Sequence, residues 1–100
     1  MSKGYVIVTE SINDPAGLEA YMRAAAPSMI ASGAKVLVVD PKPAVLEGDW
    51  HGDRTIVLEF ESVEAARAWY DSAEYQQVMP LRHAAADANV VIVAGFEMPS

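Results

Sequence analysis

The sequence predicts an α+β fold, on two observations. Short runs rich in β-branched and aromatic residues, YVIV from Tyr5, KVLVV from Lys35, TIVLEF from Thr55 and VVIV from Val90, alternate with stretches of helical periodicity. Their order is strand, helix, strand, strand, helix, strand. That order is the ferredoxin-like βαββαβ unit, a four-stranded antiparallel sheet with its helices on one face.

The elements follow in turn. After the first strand, Asn13-Asp14-Pro15 offers an N-cap and a proline at the first helical position, where its missing N–H costs nothing. Leu18, Tyr21, Met22, Ala25, Met29 and Ile30 then recur at three and four, and Gly33 supplies a left-handed stop after Ala31 or Ser32. Pro27 removes one ladder bond inside this pattern, so a kink over residues 21–26 or a break is expected, and Gly17 weakens the first turn. The second strand stops at Asp40-Pro41-Lys42-Pro43, because proline cannot donate to a ladder. An extended edge segment is expected over 44–50, with Gly48 and Gly52 bracketing a turn before the third strand. Ser62 is the natural N-cap of the next helix, Glu64 faces its positive end, and Val63, Ala66 and Tyr70, flanked by Ala65 and Trp69, make its apolar stripe. A helical signal restarts at Asp71-Ser72 and runs through Tyr75, Val78, Leu81 and Ala85, with Pro80 inside it. The chain closes on a short polar tail, 97–100.

One hundred residues make a single domain, 1–100, with a core of about 4–96. With no cysteine there is no disulfide, thiolate nucleophile or sulfur-based metal site. Fourteen acidic residues against seven Lys and Arg give a net charge of -7, which repels phosphate backbones and anionic lipid, so neither nucleic acid nor membrane is expected as a partner. No run has the length of a signal peptide or a membrane span, and a soluble cytoplasmic protein is expected.

The strands carry the sharpest statement. A sheet covered on one face should alternate apolar and polar, yet these runs are apolar at both parities. Leaving one face in water would expose roughly eight aliphatic side chains, each worth about 1.5 to 3 kcal/mol of burial. The simplest cover is a second copy of the same sheet, so a homodimer in the form of a dimeric α/β barrel is expected.

Several polar groups are candidates for chemistry. Asp49 and His51 lie two apart and share a side if their segment is extended, with Asp53 and Arg54 following. That spacing suits a His general base oriented by a carboxylate, with Arg54 as anion binder; an ordinary solvated turn between strands is the favoured reading of the same residues. With two histidines in the chain and no third ligand nearby, no metal is expected there. Glu59 interrupts an apolar strand with the parity of Val57 and Thr55. If Ile56, Leu58 and Phe60 pack under the helices, Glu59 points into the dimer barrel, where Arg54, Lys35 or a group of the other copy would pair with it; a structural ion pair near the rim is an equal reading. Trp50, Trp69, Tyr70, Tyr75 and Tyr21 could line an apolar pocket, although helical spacing favours simple core for Trp69 and Tyr70. His83, beside Arg82, reads as a solvent-facing helical histidine rather than a haem ligand.

Taken together, Leu46-Glu47-Gly48-Asp49-Trp50, Arg54, Glu59-Phe60, the SVEAA run from Ser62, Trp69-Tyr70 and Ser72-x-x-Tyr75 resemble the signature of the domain of unknown function 1330 family. The resemblance covers about residues 4–96 and implies the dimeric α/β barrel. It implies almost nothing about activity. More distant relatives include antibiotic-biosynthesis-type monooxygenases, haem-degrading enzymes, muconolactone isomerases and chlorite dismutases.

The functional expectation is a small homodimer binding a small organic metabolite, anionic ones included, between sheet and helices. If it catalyses, the expected chemistry is proton transfer without a cofactor: His51 or Glu59 as base, Arg54 and Asp49 as substrate-binding groups, Trp50 and Tyr70 as pocket wall. The alternatives are a cofactor-free monooxygenase of an aromatic or polyketide-like substrate and a non-enzymatic ligand-sensing or interaction module.

Overall fold

The computed structural model describes residues 2–98, so Pro99 and Ser100 of the expected tail lie outside the described residues. The elements are β1 (Gly4–Ile12), α1 (Pro15–Ala31), β2 (Lys35–Asp40), β3 (Arg54–Phe60), α2 (Val63–Asp71), α3 (Ala73–Ala85) and β4 (Ala86–Ala94). The strands form one antiparallel sheet in the order β2-β3-β1-β4, which is the ferredoxin-like arrangement.

Register assigns every strand residue to a face. Val6 opposes Leu58 and Ile92, and Val8 opposes Ile56 and Val90; these pack beneath the helices with Phe60, Trp69 and Tyr75. Tyr5, Ile7 and Thr9 point the other way, opposite Glu59, Val57 and Thr55 on β3 and Val93, Val91 and Asn89 on β4. The expected parity of β3 is therefore observed. On the helix-free face Val91 is 50% and Val93 39% exposed in the single chain.

Local physics sets the helix boundaries. Asp14, in extended backbone, accepts from the Gly17 amide at 3.1 Å and caps α1. The helix then runs unbroken through Pro27 to Ala31, so the break contemplated from the sequence does not occur. Ser72 divides α2 from α3. Its hydroxyl donates to the Trp69 carbonyl at 2.7 Å and accepts from the Tyr75 amide at 3.2 Å, ending one helix and starting the next.

Three boundaries differ from expectation. β1 reaches Ile12 and β4 begins at Ala86, because the weak strand formers at 86–89 are paired by register to residues 9–12. Residues 44–50 form no strand; they lie in the exposed loop that joins β2 to β3. That loop returns to the sheet at Gly52, whose φ of +81° brings the Asp53 amide to the Glu10 carbonyl at 2.6 Å.

Candidate functional site

Helix α1 leaves the edge strand β2 uncovered, and Val36 and Val39 on its helix side are 55% and 50% exposed. A cavity of about 300 Å³ opens there and runs inward between α1 and the sheet. Met22, Ile30, Val36 and Val39 border its mouth, while Val6, Val8, Ala25, Leu58 and Trp69 form the wall.

The inner end is polar. β1 alternation carries Glu10 to the same face as Val6 and Val8, where it is 1% exposed. From the neighbouring position on β3, Arg54 donates from Nε and Nη2 to Glu10 Oε1 at 3.0 and 2.7 Å. On α3, Tyr75 and Arg82 lie two turns apart on one face and both line the cavity. Arg82 is 4% exposed and donates from Nε to the Tyr75 hydroxyl at 3.3 Å. The Tyr75 and Tyr21 hydroxyls are 2.7 Å apart, either one donating. Burial pushes the Tyr21 hydroxyl far above the ordinary tyrosine range, so it stays a neutral phenol. A shallower depression of about 340 Å³, lined by Tyr70, His83 and Asp87, meets the cavity at Arg82.

The residues singled out from the sequence are divided between the two faces of the sheet. His51 lies on the helix-free face, its Nδ1 2.8 Å from Thr9 Oγ1 and its Nε2 3.6 Å from Asp87 Oδ2. Asp87, not Asp49, is thus the carboxylate beside it. Trp50 lies on the same face and donates from Nε1 to Thr55 Oγ1 at 2.9 Å. Glu59 sits at the other end of that face and accepts from the Tyr5 hydroxyl at 3.0 Å. This bond raises the Tyr5 pKa, since ionisation would set two negative charges together. Lys35 opposes Glu59 in register but forms no ion pair with it among the described residues, and Arg54 belongs to the opposite face. Tyr70 packs against Trp69 and Tyr75 with ring centroids 6.4 and 5.6 Å apart, outside the cavity. Of the aromatic candidates, Tyr21, Trp69 and Tyr75 line the cavity; Trp50 and Tyr70 do not.

Sequence reasoning missed Glu10 and Arg82, though each left a signal. Glu10 continues the even parity of Val6 and Val8, and Arg82 sits seven residues after Tyr75 inside the apolar stripe of α3. No cluster of three metal-ligating side chains occurs among the described residues, and none of their helices is long and apolar enough to cross a membrane.

A ferredoxin-like α+β sheet with a pocket beneath its helices defines the class of protein. Within it, residues 3–96 match the model of the family described as Domain of unknown function (DUF1330), and the chain belongs to that family. Solved structures of similar fold include a protein of unknown function from Rhodopseudomonas palustris, with a TM-score of 0.76, 20% identity, and coverage of 97% of this chain and 85% of that one. SnoaB, a cofactor-independent oxygenase from Streptomyces nogalater, has a TM-score of 0.69 at 10% identity, over 98% of this chain and 97% of its own. A dimeric ferredoxin-like protein of unknown function from Thermobifida fusca has a TM-score of 0.60 at 17% identity, covering 93% and 91%. At these identities the likeness carries the fold alone. Comparison with curated proteins finds no match.

Proposed function

We propose that this protein binds a small, mostly apolar organic molecule in the cavity between α1 and the sheet, and that it does so as a homodimer closed through the helix-free faces. The observation that carries the binding reading is the cavity itself: about 300 Å³ of apolar wall with Glu10, Tyr21, Tyr75 and Arg82 gathered at its inner end. Binding sites are commonly built this way, with apolar surface for affinity and a few convergent polar groups for orientation. The dimer reading rests on Ile7, Val38, Val57, Val91 and Val93, which share the helix-free face, with Val38, Val91 and Val93 exposed. A panel of one- and two-ring aromatic compounds should raise the melting temperature of the native protein by mass action. The same panel should leave Ala26→Phe, in which the new ring fills the cavity, unmoved. A flat response of the native protein to the whole panel would remove the binding reading.

A second reading is proton transfer on the helix-free face, favoured by the His51 ring held between Thr9 and Asp87. There His51 would be the base, Trp50 a wall, and Glu59 a second carboxylate farther along. Arg54, already engaged by Glu10, would act only from the other face. Once a substrate is found, His51→Ala and Glu59→Gln proteins that fold normally should lose turnover; full activity in both would end this reading. Oxygen consumption on mixing would instead point to a cofactor-independent oxygenase, the activity named for SnoaB. Binding without turnover would leave a ligand-sensing module.

A further inference from the structure

Arg82 is a buried cation without a counter-ion. It is 4% exposed; its Nε donates to the Tyr75 hydroxyl, the Tyr21 hydroxyl also lies beside it, and among the described residues it has no ion pair. The carboxylates nearest to hand are otherwise engaged. Glu10, in the same cavity, is held by Arg54 at 2.7 Å, and Asp87, in the adjoining depression, is 79% exposed and sits by His51.

None of its nitrogens is both buried and unpartnered, so the N–H groups it does not use within the chain open onto the cavity or the adjoining depression. An anionic ligand entering the cavity would replace water at these groups and supply the counter-charge that no carboxylate of the described residues gives. The guanidinium has five N–H donors in a planar fork, of which Nε–H goes to the Tyr75 hydroxyl. Nη1 and Nη2 remain, the pair that meets a carboxylate through two parallel bonds. The charges at the inner end sum to one positive, because Glu10 and Arg54 cancel. A ligand of one negative charge balances that sum, whereas a phosphate dianion would exceed it.

We propose that Arg82 receives the anionic end of a monocarboxylate whose flat apolar body fills the cavity toward Met22 and Val36. The inference rests on the cavity being the binding site and adds the charge and orientation of what enters. The cavity, at about 300 Å³, equals the liquid volume of on the order of ten waters, which suits a one- or two-ring acid rather than a cofactor-sized molecule.

Calorimetric titration of the full chain with trans-cinnamate and with its neutral amide, trans-cinnamamide, tests this. The native protein should bind the acid at least about ten-fold more tightly than the amide, a difference of about 1.4 kcal/mol. Arg82→Met should erase that preference while keeping affinity for the amide. Arg82→Lys, which keeps a charge but not the fork, should retain part of it and serves if the Met variant does not fold. Equal affinity for acid and amide in the native protein, or an undiminished preference in Arg82→Met, overturns the proposal and leaves the cavity as a neutral-ligand site. Binding of neither compound overturns the proposal, while the cavity reading stands or falls on the panel of aromatic compounds.

Discussion

Two nitrogens of Arg54 converge on a single oxygen of Glu10, at 3.0 and 2.7 Å, beneath α1 where the carboxylate is 1% exposed. The pair bridges adjacent positions of β1 and β3. Removing the cation strands a buried carboxylate, so Arg54→Met should destabilise the protein by about 3 kcal/mol or more in urea unfolding. Glu10→Leu combined with Arg54→Met should recover most of the loss. An Arg54→Met protein within about 0.5 kcal/mol of native would show that water, not Arg54, solvates Glu10.

Gly52 is where the loop crosses β1. Its φ of +81° disfavours any side chain, and a Cβ built there falls onto the Glu10 backbone. Gly52→Ala should cost about 2 kcal/mol or more, strain and clash adding. It should also disturb the Asp53-to-Glu10 bond, and with it the placement of His51 and Arg54. A melting temperature unchanged from native would mean that the loop reaches the sheet by another path.

Alkaline stability reports on Tyr21. Burial raises its pKa in the folded state, whereas the unfolded chain ionises near the ordinary value of about 10. Above that pH the folded state binds more protons than the unfolded one, so stability present below about pH 10 is lost as pH rises. Tyr21→Phe should flatten this decline in urea midpoints measured across the alkaline range. Tyr5, raised by its bond to Glu59, adds a slope of the same sign, and Tyr5→Phe is the control. An identical decline in native and Tyr21→Phe proteins would place the ionising group elsewhere.

The helix-free face offers a direct measurement of assembly. Val91, 50% exposed at the centre of that face opposite Ile7, is the position to charge. Light scattering should find the native protein dimeric at micromolar concentration and Val91→Asp monomeric. A native protein already monomeric there would leave the exposed aliphatic face to another partner.

By itself the sequence determined the strand and helix order, the Ser62 cap, the Gly33 stop, and the parity that sends Leu58 and Phe60 under the helices and Glu59 away. Each depends on near neighbours, through side-chain period, cap chemistry or backbone freedom, and so is legible in a short window. Tertiary structure decided what depends on residues far apart in the chain. It extended β1 and β4 through pairing, because Ala86-Asp87-Ala88-Asn89 has no strand tendency until Thr9-Glu10-Ser11-Ile12 lies beside it. It set Asp87 rather than Asp49 against His51, and Glu10 against Arg54, forty-four positions apart. It also made Arg82 a buried cation, because the spacing that sets it in line with Tyr75 does not say how deep that line lies, and only the packing of α3 against α1 and the sheet carries it to the cavity.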